Sequence, residues 1–328
     1  MATAGSGVAW VEYPPHGPCI SLLSRQPPKE ERNMKKTIFQ GAATALITPT
    51  TETDIDFEKF GTLIDWQIEQ GINALVICGT SGESSTLTDS EHKAAISYAV
   101  QRVAGRVPVI AGTGSNETSY AIELTKFAYG CGADAALVVT PYYNKATQNG
   151  LVYTYNAIAD CSPLPIIVYN VPGRTGVNIE PETYAKMADH ENIVAIKEAN
   201  SNIAKIVETM SLVGDRLDLY SGNDDQIVPL MSMGGKGVIS VLSNILPAET
   251  RAICDTFFAG DVKGAAELQC RYFALIKALF CEVNPIPVKA ACAAMGFCDN
   301  FLRLPLTSME EPHRQMLLDE MRKVGLNV

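Results

Sequence analysis

The chain has 328 residues, 47% of them hydrophobic, and carries 26 Lys+Arg against 36 Asp+Glu for a formal net charge of −10. That apolar share is enough for a buried core and excludes a disordered chain. The acidic balance lacks the basic footprint that nucleic acid or an anionic lipid surface demands, so neither is expected as a partner.

Residues 1–33 stand apart. Pro14, Pro15, Pro18, Pro27 and Pro28 and the charged run Lys29-Glu30-Glu31-Arg32 precede a second methionine, Met34. This stretch reads as a disordered leader without chemistry, or as an over-extended start. From residue 34 onward, short apolar runs alternate with segments of helical spacing. The runs occupy 42–47, 74–78, 108–111, 135–139, 165–169, 193–196, 217–220 and 237–241, and predict eight strands. Their near-continuous hydrophobicity fits parallel strands covered on both faces. Helical patterns fall between them, among others at 57–70, 90–104, 116–130 and 180–188.

Seven strand-to-strand repeats and a further helical stretch from Pro247 predict an α/β fold, the (β/α)8 TIM barrel of about 250 residues, with a doubly wound open sheet as the alternative. The barrel core is assigned to 34–248. Residues 249–328 exceed one closing helix, so additional C-terminal helices are expected beyond it.

The nine cysteines form no Cys-x-x-Cys pair, several sit inside apolar runs, and they read as buried thiols of a reducing compartment. His16, His92, His190 and His313 lie far apart, so neither a metal site nor a histidine-based triad is expected. No apolar run approaches the ~18 residues needed to span a bilayer, and a signal peptide pattern is lacking. A cytoplasmic protein without a membrane partner is the expectation.

In a barrel the reacting groups sit at the carboxyl ends of the strands. There the sequence places Gly79-Thr80-Ser81-Gly82-Glu83-Ser84, Thr140-Pro141-Tyr142-Tyr143-Asn144 and Tyr169-Asn170-Val171-Pro172-Gly173-Arg174-Thr175. Lys197 stands one residue past an aliphatic strand, where desolvation favours a neutral, nucleophilic amine. An ion pair with Glu198 is the competing reading. Tyr169, Tyr143 and Thr80 offer hydroxyls for proton transfer in the absence of histidine. Arg174, in a turn after Pro172, offers a planar fork to a carboxylate. Two glycine motifs are set aside. Gly112-Thr113-Gly114 lacks a dinucleotide fingerprint's third glycine, and Gly234-Gly235-Lys236-Gly237 precedes a strand and reads as a turn.

Together with Ile196-Lys197-Glu198-Ala199, Ser221-Gly222-Asn223-Asp224, Gly237-Val238-Ile239-Ser240 and Asn284-Pro285-Ile286-Pro287-Val288-Lys289, these motifs make the chain resemble the pyruvate-dependent class I aldolases. Within them it resembles the 4-hydroxy-tetrahydrodipicolinate (dihydrodipicolinate) synthase family, from about Thr37 to the C-terminus. The resemblance implies condensation of pyruvate with L-aspartate 4-semialdehyde, without a cofactor, through a lysine-pyruvate imine. Lys197 matches the imine-forming lysine, Tyr169 the assisting phenol, and Thr80 the link between Tyr169 and Tyr143 in a proton relay. Tyr143 would come from the neighbouring subunit of a homo-oligomer, a tetramer built from two dimers, for which an exposed Tyr142-Tyr143 doublet is also expected. Thr80 and Ser81 match the pair flanking the pyruvate carboxylate, Arg174 the receiver of the aldehyde's carboxylate, and Gly222 and Ile239 positions lining the lysine's surroundings.

The alternative within the superfamily is a lyase such as N-acetylneuraminate lyase or a sugar-acid aldolase. Arg174 and Tyr142-Tyr143 favour the synthase. A non-catalytic binding barrel is disfavoured because every catalytic position is filled. The resemblance further places an allosteric lysine-binding cleft at Ser84, Ser85, Asp89, His92, Asn116, Tyr120 and Tyr142. Sensitive bacterial members commonly carry histidine at the position of Asp89 and glutamate at that of Tyr120, so weak feedback inhibition is expected.

Overall fold

The computed structural model describes residues 37–328, and the leader expected at 1–33 lies outside the described residues. Eight strands, β1 (Gly41–Ala45), β2 (Ala74–Ile77), β3 (Val109–Gly112), β4 (Ala135–Val139), β5 (Ile166–Asn170), β6 (Ile193–Glu198), β7 (Asp218–Ser221) and β8 (Gly237–Ser240), pair in chain order as a closed barrel. Every pairing is parallel, including β8 with β1. Closure excludes the open-sheet alternative.

The connecting helices are α1 (Phe57–Glu69), α2 (Asp89–Val103), α3 (Thr118–Cys131), α4 (Gln148–Asp160), α5 (Pro172–Thr175), α6 (Pro181–Met187), α7 (Ile203–Val213), α8 (Ile227–Met231) and α9 (Pro247–Phe258). Beyond them α10 (Val262–Arg271), α11 (Phe273–Leu279), α12 (Ile286–Ala294) and α13 (Glu311–Lys323) form the expected C-terminal extension.

Strand periodicity sorts the apolar side chains into two layers. Ala43, Val76, Ile110, Leu137, Ile167, Ala195, Tyr220 and Ile239 fill the barrel interior. Leu75, Ile77, Val138, Val168, Ile196 and Leu219 pack outward with the helices. Burial on both faces is why the strands read as unbroken apolar runs. The seam between β8 and β1 needs a glycine: Gly237 has φ +144°, and a Cβ there would fall 1.8 Å from the Gly41 carbonyl oxygen. The Gly234–Gly237 stretch therefore serves barrel closure.

Local chemistry sets the helix starts and anchors the extension. Thr88 and Glu91 form a reciprocal capping box at the start of α2. Arg303, from the segment after α12, forks onto the same Glu91 carboxylate at 2.8 and 2.5 Å and holds its pKa down at about 2.

Candidate active site

The β5–β6 register places Tyr169 opposite Lys197 and Asn170 opposite Glu198. Lys197 lies within β6 rather than just past it, and its side chain points into the barrel with that of Tyr169. Burial lowers the pKa of the amine to about 7; the Asp224 carboxylate opposes the shift and Arg174 reinforces it. The Lys197 Nζ sits 4.2 Å from the centroid of the Tyr169 ring and makes no ion pair among the described residues. The alternative pairing with Glu198 does not form, because successive strand residues face opposite sides of the wall.

The Tyr169 phenol is buried, which raises its pKa, and it hydrogen-bonds the Thr80 side chain. Ser81, buried in the loop after β2, accepts a hydrogen bond from Asn284 Nδ2 at 3.1 Å. Arg174 occupies the single helical turn α5 instead of an irregular turn, because Pro172 at its start presets helical φ. Its Nη2 donates to the Asn284 carbonyl at 3.2 Å. Asn284 thus ties the β2 loop to the guanidinium.

Gly222 lies against the lysine: a Cβ there would be 3.2 Å from Lys197 Cε and 2.9 Å from Ala199 Cβ, so any side chain would push on the amine's stem. Ile239 is fully buried on β8 opposite Ala43. Thr80 and Tyr169 border a cavity of about 40 Å³ together with Gly79 and Val139. A wider hollow of about 560 Å³, lined by Asp160, His190 and Asn192 among others, lies at the amino ends of β5 and β6, away from this chemistry.

Tyr143 is not in this group. It sits in the loop after β4 with φ +71° and is 91% exposed. Tyr142 is half-buried, so the expected exposed doublet reduces to one tyrosine. The residues expected to form the allosteric cleft cluster around α2 and α3. There Asp89 accepts from Lys93 at 2.9 Å and from the Tyr120 phenol. His92 is buried with its Nε2 2.8 Å from the Gly112 carbonyl oxygen, and burial lowers its pKa. Asn116 receives Asn144 Nδ2 on its carbonyl, and Ser84 and Ser85 form a turn of 3-10 helix beside Glu83.

Sequence reasoning missed several buried polar groups. Asp224 is buried, with Oδ2 accepting from the Val241 and Leu242 amides at 3.0 and 2.9 Å, while Oδ1 has no partner. It is the carboxylate whose charge reaches Lys197. Its motif was visible in the sequence, but three polar residues around a glycine do not reveal which one turns inward. Lys289 and Glu83 form a sealed ion pair. Among the described residues no cluster of His, Cys, Asp or Glu is arranged to hold a metal ion, and no helix is long and apolar enough to cross a membrane.

The arrangement gathers an unpaired buried amine, a phenol in contact with a threonine hydroxyl, and a guanidinium at the rim. Such a set can form an imine and move protons around it.

Residues 38–323 match the model of the dihydrodipicolinate synthetase family. A 4-hydroxy-tetrahydrodipicolinate synthase from Alkaliphilus oremlandii is 54% identical over 289 residues, covering 88% of this chain and all of that protein. The crystal structure of a chloride-inhibited dihydrodipicolinate synthase from Acinetobacter baumannii complexed with pyruvate aligns with TM-score 0.86 at 43% identity, covering 89% of this chain and 100% of that one. The corresponding enzyme of Cyanidioschyzon merolae with lysine bound aligns with TM-score 0.86 at 40% identity and the same coverage of both chains. A closed barrel whose sequence matches the family model across 38–323, with a relative 54% identical over 289 residues, belongs to the dihydrodipicolinate synthetase family.

Proposed function

We propose that Lys197 is the residue through which the chain performs the reaction of a 4-hydroxy-tetrahydrodipicolinate synthase, the condensation of pyruvate with L-aspartate 4-semialdehyde in lysine biosynthesis. The observation that carries this assignment is the Lys197 amine, buried, without an ion pair, lowered to about 7 and set 4.2 Å over the Tyr169 ring.

In this reading the neutral amine attacks the C2 carbonyl of pyruvate. The Tyr169 phenol, hydrogen-bonded to Thr80, passes the proton that lets the carbinolamine lose water. Thr80 and Ser81 receive the pyruvate carboxylate. The imine then acts as an electron sink: C3 loses a proton, and the resulting enamine attacks the aldehyde carbon. Arg174 receives the aldehyde's carboxylate as a bidentate fork. Attack of the semialdehyde's own amine on C2 closes the ring and frees Lys197. Gly222 and Ile239 shape the lysine's surroundings. Tyr143, exposed on its own chain, completes the hydroxyl relay in the site of a second copy, within a dimer that pairs into a tetramer.

Borohydride reduction in the presence of pyruvate tests the central assignment. One stable adduct on the Lys197 peptide is expected, and an adduct on another lysine, or none, overturns it. Turnover of aspartate semialdehyde with pyruvate, compared with cleavage of sialic acid, separates the synthase from the lyase of the same superfamily. The carboxylate-binding Arg174 favours the synthase.

A further inference from the structure

Immediately behind the reacting pair, on the other side of the barrel wall, lies a buried carboxylate for which the reaction has no direct use. Glu198 is 4% exposed and Asn170, its β5 neighbour, is fully buried. Asn170 Nδ2 donates to both carboxylate oxygens at 3.0 and 3.2 Å. The Tyr184 hydroxyl on α6 donates at 3.1 Å, and the Asn200 amide in the loop after β6 at 2.7 Å. No cation pairs with this carboxylate among the described residues; only neutral donors reach it, and burial raises its pKa to about 7 against their pull.

Each of those donors belongs to a segment that bears on the site. Asn170 follows Tyr169 directly, and its side chain also joins the Asn178 side chain at 2.9 Å and the Ile179 amide at 3.2 Å. Asn200 shares Asn178 at 3.2 Å. The Glu198 carbonyl accepts the Gly222 amide at 2.7 Å, reaching the glycine that abuts the lysine stem. Around the carboxylate the titratable groups are the phenols of Tyr184 on α6 and Tyr169 on β5. Farther out, Asn178 leads to Glu180, which pairs with Lys205. The Glu198 charge also acts through the wall to raise the Tyr169 phenol's pKa.

Resting on the imine chemistry proposed above, we propose that Glu198 is a positioning residue. Its carboxylate, bonded to Asn170, Tyr184 and Asn200, fixes the register of β5 against β6 that sets Tyr169 over the Lys197 amine. A buried carboxylate held only by neutral donors costs desolvation that a hydrophobic residue would avoid, which is why its pKa lies at about 7. What it provides here is a set of directed bonds at the one strand pair where two reacting side chains must meet.

The test is Glu198→Gln in the full-length enzyme, with active sites counted by borohydride trapping of pyruvate so that folding loss and catalytic loss separate. The amide keeps the size but turns one acceptor into a donor facing other donors. Expected are trapping on Lys197, a pyruvate KM within about threefold of the parent, and a kcat per trapped site lowered about tenfold or more. The alkaline limb of the pH profile should move to lower pH, since Tyr169, raised chiefly by burial and opposed by Arg174 and Thr80, loses the Glu198 charge that adds to the rise. An unchanged kcat per trapped site overturns the proposal whatever happens to stability.

Should that variant fail to fold, Tyr184→Phe removes one donor and keeps the carboxyl group. A kcat per trapped site lowered at least twofold is then expected, and parental turnover overturns the proposal. Absence of any trapped adduct in the parent enzyme would instead sink the imine assignment and is read separately.

Discussion

Lys289 on α12 meets Glu83 of the β2 loop at 2.5 Å, Nζ to Oε1, with side chains 0% and 1% exposed. The ammonium also donates to Thr50 Oγ1 at 2.8 Å, while Glu83 Oε2 has no partner. Glu83 itself is held at φ +55°, a left-handed conformation that a bulky side chain adopts only when its surroundings enforce it. The pair ties the C-terminal extension to the loop carrying Thr80 and Ser81, so it links the added helices to the loop proposed to receive pyruvate.

Removing one partner strands a charge in a sealed site, and Glu83→Gln or Lys289→Met should each cost about 3–5 kcal/mol of stability. Replacing both should recover much of that loss, because the double variant leaves no buried unpaired charge. Urea unfolding of the two single variants and the double variant measures the coupling directly. Simple additivity of the single losses would show that the two side chains do not act as a pair.

Why the strands were legible and this pair was not has a physical basis. Burial on both faces writes each strand as a continuous apolar run, so Ala135–Val139 could be bounded from residue types alone. Lys197 and Glu198 extend β6 past its apolar run because a barrel strand ends in the site it supports, where polarity no longer marks an edge. Glu83 and Lys289 lie 206 positions apart, and Glu198 meets Tyr184 only through register and helix packing. Such pairings exist in the closed barrel and leave no local pattern. Tyr143 is a further case: the role proposed for it depends on a second copy, and one chain leaves it exposed.

The lowered amine of Lys197 has two consequences with a definite sign. Its pKa falls from 10.5 to about 7 on folding, so between those pH values the unfolded chain binds more protons than the folded one. Stability therefore rises with pH across this window, and below about 7 the full penalty, roughly 5 kcal/mol at most, is present. Lys197→Met should raise the unfolding free energy by a few kcal/mol at pH 6 and hardly change it near pH 10.5, as read from denaturant midpoints. In the active enzyme the rate of pyruvate imine trapping should fall about tenfold per pH unit below 7, because only the neutral amine attacks. A trapping rate flat from pH 5 to 8 would contradict the buried, uncharged amine.

The exposed Tyr143 leads to a subunit-mixing experiment. If this phenol serves the site of a neighbouring copy, Tyr143→Phe and Lys197→Ala chains are each nearly inactive alone. A mixed dimer then contains one site with both groups intact. Mixing them under conditions of subunit exchange should restore up to about a quarter of parental activity for random pairing into dimers. Absence of recovery, with exchange verified by mass-tagged subunits, would remove the shared-site reading and leave Tyr143 as a surface residue.

Inhibition by L-lysine should be weak, and the reason lies in what already occupies the charged groups of the candidate cleft. Binding a free amino acid there requires acceptors for two ammonium groups. Asp89 is the carboxylate present, and it is engaged by Lys93 at 2.9 Å and by the Tyr120 phenol. Tyr120, which the family resemblance sets against a glutamate of sensitive members, has its pKa raised to about 12 by burial and by Asp89, so it offers a neutral hydroxyl. His92 is turned to the Gly112 carbonyl, and burial favours its uncharged form. Replacing a carboxylate partner by a phenol forfeits a charge-assisted hydrogen bond, about 1.5–3 kcal/mol or a tenfold to hundredfold loss of affinity. Titration of L-lysine at subsaturating pyruvate should accordingly give half-inhibition at or above the millimolar range, and Tyr120→Glu should lower it at least tenfold. Half-inhibition of the parent enzyme far below millimolar would mean that Asp89 exchanges Lys93 for the inhibitor's ammonium without penalty.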